Sequence, residues 1–351
     1  MLSIRDHIPQ SEIPANLSMY SGMVPNFRFN VTMAAIFGLL WIFQLGAGVY
    51  TRQYWICIAF ICACGLEVAG YTGRALSSND VQNVNYFLLQ FICLTIAPVF
   101  TMGGVYYQLA KLIEIYGHSF ALLSSPMAYS YIFMGCDIIS LVVQAVGGGM
   151  SGTAAANYES SATGDHIFVA GLAFQVFTMT AFLFLWFHFC YLIYIKARER
   201  HVGAQKFSRN LLQITQTEID YLYRPKFEFL RQPERWVFKY FPLALTATVI
   251  FVYVRCIYRV IELAEGWSGY LITHEWYFII LDALMISAAT LALSIFHPGF
   301  AFKGKSVGIK ITSRKKAAML ESAPSESTPW EHDSTSSSGE MQELNKYSSQ
   351  V

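Results

Sequence analysis

Among the ionisable side chains within, or at the ends of, long apolar stretches of this sequence are Glu67, Arg74, Asp137, Arg255, Arg259, Glu262 and Asp282. Charge inside an apolar helix is costly, so such residues mark either buried ion pairs or a polar site for a head group. Their spacing is helical. Arg255, Arg259 and Glu262 fall at i, i+4 and i+7, which stacks them on one face, and Glu67 and Arg74 are likewise seven apart. Asp137, Ser140 and Gln144 share a face of their own stretch, Gln90, Thr101 and Gln108 stripe another, and Gln175 with Thr178 marks a fifth. Two chemistries fit. Three arginines and four acids could neutralise one another and fix helix packing without a ligand. Alternatively, Glu67, Arg74, Asp137, Gln144, Gln175, Arg255, Arg259, Glu262 and Asp282 line a hydrated cavity that holds a polar lipid head while its chain stays in the bilayer.

The elements that position these residues follow from composition. The 351 residues are 54% hydrophobic and only 13% charged, about half the charge of a soluble domain. The pattern predicts an all-α integral membrane protein with seven transmembrane helices, near 29–50, 54–74, 84–110, 126–148, 168–195, 238–262 and 275–297. A Gly/Ala/Ser/Asn run over 147–164 is expected to be a loop. Pro98 should kink the third helix, and His297-Pro298-Gly299 should end the seventh. A segment at 1–28 precedes this membrane domain of 29–300, and a Ser/Thr/Glu-rich tail at 301–351 is expected to be disordered and open to cytoplasmic regulators.

Basic residues set the orientation. Of 24 Lys and Arg, nineteen fall on the side holding loop 196–237 and the tail, and three (Arg5, Arg28, Arg74) on the other. That places the N-terminus outside and the C-terminus in the cytoplasm. Both glycosylation sequons, at Asn16 and Asn30, lie on the outer side; Asn30 is too close to the membrane, which leaves Asn16 as the acceptor. In loop 196–237 basic residues alternate with aromatic ones such as Tyr223, Phe227 and Trp236. It reads equally as an interfacial segment on anionic lipid or as an ordinary inner loop.

Several functions are excluded. A net charge of +1 and the absence of a phosphate-binding loop argue against a nucleic-acid partner and an ATP-driven pump. His118, His166, His188, His274 and His297 are scattered over both sides, so neither a metal site nor a zinc hydrolase is expected. All seven cysteines lie in apolar stretches, where no disulfide framework is expected, and no cofactor is implied.

With those residues in view, the chain resembles the fungal lipid-translocating exporter-like family, seven-helix proteins of aminocholesterol and sphingoid-base resistance. The resemblance rests on Glu67-x2-Gly70-Tyr71-x2-Arg74, on Gln90 with Ala97-Pro98 and Tyr106, on Asp137-x6-Gln144-x2-Gly147, and on Gly171-x3-Gln175. Its strongest block is Arg255-x2-Tyr258-Arg259-x2-Glu262, followed by Glu275, Tyr277, Asp282 and His297-Pro298-Gly299. It spans about residues 30–300 and implies a multi-pass plasma-membrane protein, not an enzyme, that moves or exports lipids such as sphingoid long-chain bases and gives resistance to toxic ones. Its partners would be membrane lipids and other amphipathic molecules. A seven-helix sensor or receptor that regulates lipid asymmetry or a stress response without transporting is the alternative.

Overall fold

The computed structural model describes residues 23–123, 125–156, 160–203, 214–232, 234–266, 269–303, 309 and 311. Among these residues the regular structure is entirely helical. In chain order the long helices are α1 (Phe27–Thr51), α2 (Tyr54–Ser77), α3 (Val84–Tyr116) and α4 (Pro126–Ala156). Next come α5, which runs from Ala162–Tyr191 through a π-helical stretch Leu192–Lys196 into Ala197–Val202, and α6 (Trp236–Ala264). The last, α7, joins Glu275–Tyr277, a π-helical stretch Phe278–Leu284 and Met285–Ile295. Among the described residues, six of these elements (α1, α3, α4, α5, α6 and α7) are long and apolar enough to cross a bilayer.

Apolar side chains face both ways, as they must in lipid. Leu39, Val49, Phe177, Phe184 and Leu243 are exposed on the outer surface of the bundle, while Phe37, Tyr106, Phe182, Trp186 and Phe241 fill its core. With lipid outside and protein inside, hydrophobicity alone does not hold helices together; close packing and polar contacts do. Small residues allow the closest approaches. A Cβ on Gly171 of α5 would sit 2.8 Å from the Gln144 side chain and 3.0 Å from its backbone nitrogen on α4. One on Gly70 of α2 would sit 2.6 Å from Leu94 of α3.

The structure departs from the sequence reading at 147–164. Most of the expected loop is helix, with α4 continuing to Ala156 and α5 starting at Ala162. The glycines there serve helix–helix contact: a Cβ on Gly147 or Gly164 would strike backbone of the opposing helix. Glycine in a soluble helix is a breaker, but in a membrane pair it lets two backbones touch. At the end of α7 the expected break is present: His297 Nδ1 accepts from the Gly299 N–H at 3.0 Å and caps the short helix Pro298–Ala301.

The described part of 196–237 packs against the helix bundle. Ile219, Tyr223, Phe227 and Leu230 point into the protein and are buried. Tyr223 meets Tyr116 edge-to-face at 5.0 Å and donates to the Ile193 carbonyl at 2.9 Å. Arg224 pairs with Glu114 at the end of α3, and Arg231 binds Asp220 (2.6 Å) and the Ile115 carbonyl (3.0 Å). The segment is docked on the ends of α3 and α5. Phe207, Leu211 and Leu212 lie outside the described residues, as does Asn16.

Candidate functional site: a buried charge cluster between α2, α3, α6 and α7

Asp282 is the centre of the cluster. It is fully buried, and its Oδ1 accepts from Arg255 Nε at 2.7 Å and from Arg259 Nε at 2.8 Å. Two arginines reach one carboxylate because they stand one turn apart on α6, as their spacing required. Asp282 itself stands in the π-helical stretch Phe278–Leu284. Such a one-residue bulge shifts the helix face and is frequent at functional sites.

Each arginine has a further partner. Arg259 donates to Glu262 Oε2 at 2.9 Å, and Glu262 Oε1 accepts the Tyr258 hydroxyl at 2.8 Å. Arg255 donates through its second amino group to the Leu94 carbonyl on α3 at 2.6 Å. That carbonyl is available for a specific reason: Pro98, four residues on, has no N–H to return to it. A proline inside a membrane helix needs its orphaned carbonyl satisfied by a neighbour, and Arg255 does so.

Arg74 forms a second group toward the ends of α2 and α7. It contacts Gln90 Oε1 at 3.2 Å and Glu275 at 3.6 Å, and its guanidinium lies 4.0 Å from the centre of the Phe278 ring. Arg259 lies over the same ring at 5.3 Å, so Phe278 joins the two groups by cation–π contact. Glu275 also accepts the backbone N–H of Asn26, which ties the start of α1 to this end. Asn30 is fully buried and bonded to the Asn26 carbonyl, so it is no glycan acceptor.

A third group is separate and neutral in its contacts. Asp137 on α4 accepts the Tyr106 hydroxyl of α3 at 2.9 Å. Gln144 donates to Ser140 (2.7 Å) and to Gln175 on α5 (3.1 Å), while Ser140 donates to the Gly171 carbonyl at 2.8 Å. The structure thus divides the nine candidates. Arg255, Arg259, Glu262 and Asp282 share one ion-paired network, Arg74 belongs to its extension toward Gln90 and Glu275, and Asp137, Gln144 and Gln175 zip α3, α4 and α5 together. Glu67 is buried beside the network without a bonded partner. Sequence reasoning missed Tyr106, Tyr258 and Phe278 as members of the site, along with the carbonyl of Leu94. The Leu94 carbonyl had a readable signal in Pro98 at mid-helix, and Tyr106 and Tyr258 stand in the motifs of the resemblance; Phe278 had none.

The expected hydrated cavity is not open in this conformation. The void against Arg255, Arg259, Gln175, Thr95 and Pro98 measures about 20 Å³, room for a single water rather than a head group. A wider crevice of about 680 Å³ lies at the other end of the bundle, between Phe187, Tyr194, Arg198, Thr215, Phe238 and Leu243, and includes none of the clustered charges.

Residues 60–305, which contain the whole cluster, match the RTA1 like protein family. The chain belongs to that family. It is 60% identical over 309 residues to the sphingoid long-chain base transporter RSB1 of Saccharomyces cerevisiae (strain YJM789), covering 88% of this chain and 81% of that protein. More distant relatives are protoporphyrin uptake protein 1 of the same species (strain ATCC 204508 / S288c), 26% identical over 68% of this chain and 67% of that one, and protein RTM1 of Saccharomyces cerevisiae, 25% identical over 68% and 66%. No solved structure matches the chain.

Proposed function

We propose that this protein moves sphingoid long-chain bases out of the cytoplasmic leaflet of the plasma membrane and so protects the cell from them. The observation that carries the reading is the 60% identity over most of both chains to a protein named for transporting these lipids. The chemistry of the interior agrees with it. A long-chain base joins one ammonium and its hydroxyls to one hydrocarbon chain. Carboxylates at Glu67, Glu262 and Asp282 offer partners to the ammonium, amides at Gln144 and Gln175 suit hydroxyls, and the chain can remain in lipid.

In this reading α2 is a seventh transmembrane helix, its two ionisable residues shielded because it packs between α1 and α3. The N-terminus is outside, with a glycan at Asn16, and the C-terminal tail is cytoplasmic. The charge cluster then lies in the outer half of the membrane. The conformation described is the closed one: the arginines hold Asp282 and Glu262, and a head group enters only when those pairs part. Acidic side chains around the path favour a cationic over a doubly anionic head. Overexpression is therefore expected to protect cells against long-chain bases more than against their phosphorylated forms. Equal protection against both, or none against either in cells lacking related genes, would overturn the reading.

A further inference from the structure

Three arginines and three carboxylates of the cluster are matched: Arg255 and Arg259 on Asp282, Arg259 also on Glu262, and Arg74 on Glu275. Glu67 is the acid left over. It is 1% exposed, and neither carboxyl oxygen has a hydrogen-bond partner. The charged groups that bear on it are Arg255 and Arg259 from α6 and Asp282 from α7. The titratable neighbours are Cys64 and Tyr71 on its own helix and Cys93 on α3. The Tyr71 hydroxyl, one turn on, is also buried and unbonded. An ionised carboxylate with no hydrogen-bond donor is costly in a dry helical bundle. Arg255 and Arg259 favour its charge, but both are already held by Asp282 and Glu262, and the Asp282 carboxylate opposes them.

We propose that Glu67 carries a proton in the closed state and exchanges it for the ammonium of the transported lipid, which makes transport an electroneutral proton exchange. The inference rests on the transporter reading above. When the cluster opens, the Glu67 O–H bond breaks, the proton leaves to water, and the carboxylate pairs with the entering ammonium. On release of the lipid at the other face, a proton rebinds to the same oxygen. One site holding either a proton or a cation, never both, couples the two movements one to one, and the site is neutral in both occupied states. Glu67, Tyr71 and Arg74 fall at i, i+4 and i+7, so one polar stripe leads from this acid to Gln90 and Glu275 at the helix end.

Two measurements test this. Infrared spectra of the purified protein should contain a C=O stretch from a protonated carboxyl free of hydrogen bonds, shifted in D2O and absent in Glu67→Gln. Because the amide replaces a neutral acid of the same shape, that variant should keep the wild-type melting temperature. A spectrum unchanged by Glu67→Gln would overturn the assignment. The second uses phosphatidylcholine vesicles containing the full chain and a fluorescent long-chain base, at clamped membrane potential and with the rate of protein-free vesicles subtracted. An imposed pH gradient should accelerate wild-type transport, a membrane potential should not, and Glu67→Gln should lose the acceleration. Wild-type transport indifferent to the gradient would overturn the exchange and leave the transporter reading standing. No transport under any gradient, with the infrared band present, would overturn the transporter reading and the exchange together, while the proton at Glu67 would stand.

Discussion

Replacing Asp282 by Asn removes one negative charge from a place where two arginines depend on it. Arg259 retains Glu262 at 2.9 Å, but Arg255 is left with the Leu94 carbonyl alone, at 2% exposure. At about 4 Å between charge centres, each lost attraction is worth about 4 kcal/mol at an effective dielectric constant of 20. Part of that is returned by relaxation and by the polar amide. Measured losses for breaking a buried pair from one side are about 3–5 kcal/mol, against a total stability of about 5–15 kcal/mol. The expected result is a melting temperature lower on the order of 5–10 °C and a reduced yield of monodisperse protein, read by fluorescence-detected size-exclusion chromatography after heating in detergent. The double variant Asp282→Asn/Arg255→Gln removes the orphaned cation and should recover part of the loss. If Asp282→Asn melts with the wild type, the cluster is hydrated and the pairs are not what holds α6 to α7.

Three further outcomes follow from the geometry. Gly171→Leu should prevent stable folding, because even its Cβ would press on Gln144 backbone; a normal yield would refute close α4–α5 packing. Arg224→Gln should release the 214–232 segment from Glu114, seen as faster proteolysis there with the bundle intact, whereas unchanged cleavage would mean that Tyr223 and Arg231 suffice. Enzymatic deglycosylation should shift the electrophoretic mobility of the wild type and not of Asn16→Gln, while protease on intact cells should spare the tail; digestion of the tail from outside would reverse the orientation.

Much of the site was legible before the structure because charge in an apolar helix is conspicuous and helical spacing is rigid. The i, i+4, i+7 spacing of Arg255, Arg259 and Glu262 placed them on one face, and Asp282 was the acid at a matching depth. What spacing cannot convey is which face meets which helix. Asp137, Gln144 and Gln175 therefore read as cavity lining, yet their hydrogen bonds close on each other and on Tyr106. The π-helical stretch at Phe278–Leu284 has no proline or glycine to announce it, so the aim of Asp282 was hidden. The glycines of 147–164 misled for a physical reason: composition alone does not distinguish a loop from a helix pair in backbone contact.

The central claim is that the chain itself moves a long-chain base across a bilayer. A side-specific assay tests it: labelled base is loaded into one leaflet of vesicles containing only this protein, and its arrival in the other leaflet is followed by a quencher that cannot cross. The account predicts transport above protein-free vesicles, faster for the base than for its phosphate, and lost on Asp282→Asn. Arrival at the protein-free rate, with folded protein recovered from the same vesicles, would contradict it.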